Sequence, residues 1–249
     1  MAASAAGVTV CESIAEYLAE HYSIEKPAVV RNIPQTLSET AGRSVTKSAI
    51  RSQLGVSNRE FLMVYVGKAT TNRGLIDVLR AMVKVDSSIK LLVLGYFDHS
   101  FELYFTETVR RLDLTHRVIV RGPVRPEEIA TWISPCDLSL VTINGVCLSY
   151  QFALPNKLLE SIHALVPILG TDLPEITKIV RHYGCGMTVQ DGDIDALANA
   201  MTTLFSDREA LSRMQRGAVA AASELTWERE KQCLVETYER VLTGPGETQ

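Results

Sequence analysis

The sequence predicts an α/β protein with a doubly wound parallel sheet, and three observations carry that prediction. Six short β-rich runs follow one another from Glu60 onward: FLMVYVG (61–67), LLVLG (91–95), VIVRG (118–122), LSLVTI (138–143), VPILGT (166–171) and MTVQ (187–190). The runs are continuously apolar rather than alternating, as parallel strands covered on both faces should be. Helical patterns joined by short connections separate several of them, which is the arrangement of repeated βαβ units.

In chain order, VTVCES and IAEYLAEHY read as one strand and one helix, and AVVRNIPQ as extended chain. One strand–helix unit cannot bury its own apolar faces, so residues 1–34 are expected to dock on another part of the fold. QTLSETAGRSVTKS is polar, and the span 35–57 reads as a linker. The main unit is expected over 58–225. Within it RGLIDVLRAMVKV (73–85) is one helix and another follows Pro126. A third is marked by Ile194, Leu197, Ala198, Met201, Leu204 and Phe205 at i, i+3, i+4, i+7 spacing. Thr226 can cap a last helix in which Trp227, Leu234, Tyr238 and Val241 share a face. That helix should stop near Gly244-Pro245-Gly246, making 226–249 a terminal helix and tail.

Composition narrows the function. With 249 residues, 46% hydrophobic and 22% charged, the chain can build a full core. A net charge of −4 argues against a nucleic-acid binder, which needs a basic face for the phosphates. No run approaches the ~20 apolar residues of a membrane span, and MAASAAGVTV lacks the charged start and apolar centre of a secretory signal. Cys11, Cys136, Cys147, Cys185 and Cys233 are odd in number and widely spaced, which fits a reduced, cytoplasmic setting without disulfides or zinc.

Ligands of open α/β sheets bind beyond the carboxyl ends of the strands, so the loops there hold the candidates. GKATTNRG (67–74) matches neither the dinucleotide fingerprint nor the Walker loop, which argues against a nicotinamide dehydrogenase. It does offer two cations, Lys68 and Arg73, beside Gly67 and ahead of a helix N-terminus, a plausible clamp for a diphosphate. The alternative is solvated surface charge. GPVRPEE (122–128) could present its backbone to a base edge. In Tyr150-Gln151-Phe152-Ala153-Leu154-Pro155-Asn156-Lys157, proline suits a first helical turn whose N–H groups can hold phosphate oxygens. Glu160 lies on the same face as Lys157 and could take two ribose hydroxyls. Alternatively Glu160 pairs with Lys157, and Asn156 merely caps. His163 reads as a satisfied core residue and His182 as a helix-end contact. No Ser/His/Asp arrangement or metal-ligand cluster is evident.

Together, YVGK..TNRGL, LLVLG, RVIVRGPV..EEIATWISPCDLSLV, LPNKLLESIHALVPILGTDLPE and GCGMTVQDGDIDALANAM resemble the donor-binding half of a retaining GT-B glycosyltransferase of family 4, or group 1. The resemblance runs from about Val8 to Leu242. It implies a Rossmann-like domain, the C-terminal half of the GT-B fold, that transfers a sugar from a UDP- or GDP-linked donor to an acceptor in polysaccharide or glycoconjugate synthesis. No cofactor is implied beyond the nucleotide-diphosphate sugar itself. Lys68 and Arg73 would hold the pyrophosphate, Val124 would meet the nucleobase through its backbone, Glu160 would bind the ribose, and Asn156 and Lys157 would join the donor contacts. The family's first glutamate, which contacts the donor sugar, falls at Phe152, and that departure leaves the sugar unassigned.

The same resemblance makes residues 1–34 the last strand–helix unit of an N-terminal acceptor domain. The rest of that domain, or a partner subunit, would supply the acceptor site and catalytic histidine, with room for peripheral membrane contact. Two other readings use the same architecture: a nucleotide-sugar epimerase, and a non-catalytic nucleotide-sugar-binding subunit.

Overall fold

The central sheet runs in the order Val118–Arg121, Ile89–Leu94, Phe61–Val66, Leu138–Val141, Ile168–Thr171 and Gly186–Val189, with every pairing parallel. In the computed structural model, residues 4–34 and 46–243 are described. The strands are β3 (Phe61–Val66), β4 (Ile89–Leu94), β5 (Val118–Arg121), β6 (Leu138–Val141), β7 (Ile168–Thr171) and β8 (Gly186–Val189). All six lie inside or within two residues of the apolar runs in the sequence.

Burial explains why these runs do not alternate. On β3, Phe61, Met63 and Tyr65 pack into one apolar layer, while Leu62, Val64 and Val66 pack into the layer on the opposite face. Every residue of β3 is buried. Full burial of a large aliphatic or aromatic side chain stabilises by ~1.5–3 kcal/mol, so a polar residue on either face of β3 would be costly. Helices α3 (Leu75–Met82), α4 (His99–Arg111) and α9 (Ile194–Ser206) cover the first face. Helices α2 (Lys47–Gln53), α5 (Ile129–Ile133) and α7 (Asn156–His163) cover the second, with α8 (Pro174–Tyr183) and α10 (Arg208–Glu224) beside them.

The N-terminal segment comprises β1 (Val8–Thr9), α1 (Glu12–Tyr22) and β2 (Ala28–Val29), with β1 and β2 forming their own parallel pair. It docks on the main body, as its unpaired faces require. Two buried carboxylates fasten it. Glu175, only 4% exposed, accepts hydrogen bonds from Ser13 N at 2.8 Å and Ser13 Oγ at 2.6 Å. Glu230 accepts from Arg31 N at 2.6 Å and Arg31 Nη1 at 2.9 Å.

Three features differ from the sequence expectation. Residues 35–45 of the expected linker lie outside the described residues, and 46–57 contain α2, whose first turn Thr46 caps by accepting from Ala49 N at 3.3 Å. Pro155 precedes α7 as its N-cap, so that helix begins at Asn156. The last helix, α11 (Trp227–Thr243), buries Glu230 and Thr237 and leaves Trp227 and Tyr238 exposed. Glu230 accepts from Arg31 on the inward side, while Leu234 and Val241 of the expected face are half-buried. The expected stop at Gly244-Pro245-Gly246 lies outside the described residues.

Candidate functional site

The strand order reverses direction between β3 and β6, and adjacent loops diverge there to leave a crevice at the carboxyl ends. A cleft of about 530 Å³ opens at this point. It is lined by the end of β3 with Gly67 and Lys68, by Arg73, and by residues between Ser149 and Glu160. Gly67, Lys68, Arg73, Asn156, Lys157 and Glu160 therefore share one cleft. Val124 does not line it; half-buried, it packs against the layer of Ile50, Val64 and Trp132.

The loop carrying Arg73 is held rigidly. Gly74 has φ of 70°, and a Cβ there would meet Thr142 Cβ at 2.5 Å, so the position requires glycine. Thr142 Oγ1 donates to Arg73 O at 3.0 Å. Asn144 accepts from Gly74 N at 3.1 Å, and its Nδ2 donates to Asp191 at 2.8 Å and Asp77 at 3.2 Å. The Arg73 guanidinium lies over the Tyr150 ring, 4.8 Å from its centroid. Its Nε is buried with no hydrogen-bond partner.

Lys157 is 6% exposed. Its ammonium donates to Thr142 O at 3.0 Å and sits 4.0 Å from the centroid of the Tyr65 ring. Burial, reinforced by nearby Arg73 and opposed by Glu160, lowers the Lys157 ammonium to about 7. Burial also raises the Glu160 carboxyl, against the pull of Lys157, and the Tyr65 phenol, against that of Arg73. The Tyr65 hydroxyl donates to Lys68 O at 2.9 Å, tying the buried strand to the exposed lysine's backbone. Among the described residues, Lys68, Arg73 and Lys157 form no ion pair, so the expected alternative of a Lys157–Glu160 bridge is not adopted. Asn156, exposed at the first position of α7, accepts from Asn32 Nδ2 at 3.1 Å and does not cap its own helix.

Phe152 faces away from the cleft, its ring 5.7 Å from that of Tyr17 on α1, and its carbonyl accepts from Cys11 Sγ at 3.2 Å. His163 is buried beside Leu225 O at 2.9 Å, as a satisfied core residue should be. All five cysteines are free, and among the described residues no cluster could hold a metal ion. No described helix is long and apolar enough to cross a membrane.

The family model for glycosyl transferases group 1 matches residues 46–220, more than half of the chain. The chain belongs to this family. Its relatives include the D-inositol 3-phosphate glycosyltransferase of Nocardia farcinica, 24% identical over 92% of this chain and 51% of that protein. Another is the N-acetyl-α-D-glucosaminyl L-malate synthase of Bacillus anthracis, 24% identical over 77% of this chain and 48% of that one. The group 1 chain thus spans about half the length of these curated relatives.

Solved structures agree on the fold. A Rickettsia africae glycosyltransferase superimposes with a TM-score of 0.83 at 15% identity, over 97% of this chain and 65% of its own. Anabaena HepE in complex with UDP and glucose gives 0.80 at 18% identity, over 94% and 63%. The group 1 chain has the Rossmann-like fold of the C-terminal half of a GT-B glycosyltransferase.

Proposed function

We propose that this chain binds a nucleotide-diphosphate sugar and transfers the sugar, with retention, to an acceptor in polysaccharide or glycoconjugate synthesis. The observation that carries the proposal is the cleft itself. Lys68 and Arg73 share the cleft with the N-terminus of α7, which itself carries Lys157 and Glu160, and none of the three cations is spent on a carboxylate. A diphosphate suits the cations and the helix end, and a ribose diol suits a half-buried carboxylate. The complexes of Anabaena HepE with UDP and UDP-glucose favour a UDP-linked donor, with GDP as the other candidate.

In this reading the bond between the anomeric carbon and the β-phosphate oxygen breaks, and negative charge develops on the departing diphosphate. Lys68 and Arg73 meet that charge and stabilise it more in the transition state than in the ground state. The acceptor hydroxyl forms the new bond and releases its proton. The acceptor site belongs to a further domain or a partner subunit, since relatives of this chain are about twice its length. Val124 remains a proposed base contact that donor binding would have to bring closer.

Losing one charge-assisted contact costs ~1.5–3 kcal/mol. Arg73→Ala is therefore expected to weaken UDP or GDP binding by about 10- to 150-fold in calorimetry. Unchanged affinity in a folded variant would remove Arg73 from the site.

A further inference from the structure

We propose that Tyr150 is a positioning residue: its ring face holds the Arg73 guanidinium towards the cleft while leaving the terminal guanidinium N–H groups available to a diphosphate. The inference rests on the donor-site reading above and adds the means by which its main cation is aimed.

Two parts of Arg73 need fixing, and the structure fixes them differently. The backbone is locked by Thr142 on Arg73 O and by Asn144 on Gly74 N. The side chain has no such bond: its Nε is buried without a partner, and among the described residues no carboxylate reaches the guanidinium. What it has is the Tyr150 ring at 4.8 Å.

An arginine has five N–H donors in a planar fork. A carboxylate partner would occupy two of them and cancel the charge that a phosphate must meet. An aromatic face attracts the cation through its quadrupole and needs no donor in the guanidinium plane. Lys157 is treated in the same way over Tyr65. The cleft thus holds two basic side chains on tyrosine faces, and neither is paired with a carboxylate. Tyr150 can do this because it sits on the short helix α6 (Leu148–Gln151), which lines the same cleft as Arg73.

The test is calorimetric titration of the whole chain with inorganic pyrophosphate, UDP and uridine, for wild type, Tyr150→Leu and Tyr150→Phe. The expected result is that Tyr150→Leu weakens pyrophosphate and UDP about 3- to 30-fold, leaves uridine unchanged, and keeps its melting temperature. Tyr150→Phe, which retains the ring, should match wild type. If wild type binds both diphosphates and Tyr150→Leu binds them equally well, the positioning role is overturned and the donor site stands. If the phenylalanine variant loses as much as the leucine variant, the hydroxyl rather than the ring face is responsible, and the inference fails. Wild type binding neither diphosphate would overturn the donor-site reading and this inference with it.

Discussion

Replacing Lys157 by methionine should make the protein more stable at neutral pH, by an amount that shrinks as pH rises. The ammonium is 6% exposed and has Thr142 O and the Tyr65 ring as its partners. Burial, with Arg73 adding repulsion and Glu160 partly opposing it, brings the group from 10.5 to about 7. Between those values the unfolded chain holds a proton that the folded chain has released. Stability therefore rises with pH across that window, by ~1.4 kcal/mol per unit where the difference is a full proton. Below about 7 both states are protonated and the cost of the buried charge is complete. A methionine has no such slope; it loses the hydrogen bond to Thr142 O, worth about 1 kcal/mol, and the attraction of the protonated ammonium to the Tyr65 ring, worth ~0.5–2 kcal/mol.

Urea denaturation of both proteins at pH 7.5 and 9.5 measures this. The stability advantage of Lys157→Met should fall by roughly 2–3 kcal/mol between those pH values. A constant difference would mean that Lys157 keeps its charge throughout, and the assignment of a buried, weakly basic lysine would be wrong. The destabilising lysine also makes a functional point, since such exceptions to good packing are expected at working sites. Because a bound diphosphate favours the protonated form, saturating UDP should flatten the wild-type slope.

Two further outcomes follow from the site's walls. Gly74→Ala combines a left-handed backbone with a clash against Thr142, so it should cost ~2 kcal/mol or more in urea denaturation and weaken UDP binding by displacing Arg73; near-normal values for both would show that the loop yields easily. Phe152→Ala should cost about 1–3 kcal/mol by removing a half-buried ring from Tyr17, yet leave UDP affinity within about twofold; a tenfold loss of affinity would place Phe152 in the donor site.

The sheet was legible because both of its faces are covered, which leaves β3, β4 and their neighbours as uninterrupted apolar runs. That Lys68, Arg73 and Glu160 line one cleft was legible for a topological reason: the loops at the carboxyl ends of β3 and β6 flank the crevice that opens where the strand order reverses. Helix α4 was left unassigned because Phe101, Tyr104, Phe105, Thr108 and Val109 favour strands by propensity. Packing overrides this by burying Phe101, Phe105 and Val109 on one face. Helix α10 hides differently, since its buried face is mostly Ala210, Ala218 and Ala221, and Gly217 allows backbone contact with Tyr183 and Gly184.

The roles of Tyr150 and Tyr65 could not be read either. Both depend on where a ring points relative to a cation from another part of the chain. The anchoring of residues 4–34 is equally remote in sequence, with Glu175 and Glu230 lying more than 150 residues from Ser13 and Arg31. Glu160 and Lys157 show the limit of spacing arguments. They share a helix face, but Thr142 O and the Tyr65 ring draw the ammonium away from the carboxylate.

The most direct test of the donor-site account is a thermal-shift titration of the chain with UDP, GDP, ADP and NAD, repeated on Glu160→Ala. A ligand at ~100 times its dissociation constant stabilises by ~2.7 kcal/mol, which for a protein of this size raises the melting temperature by roughly 5–10 °C. The account predicts that rise with one nucleoside diphosphate, UDP or GDP, and its loss in a folded Glu160→Ala variant. No rise with any diphosphate, or an undiminished rise in the variant, would contradict it.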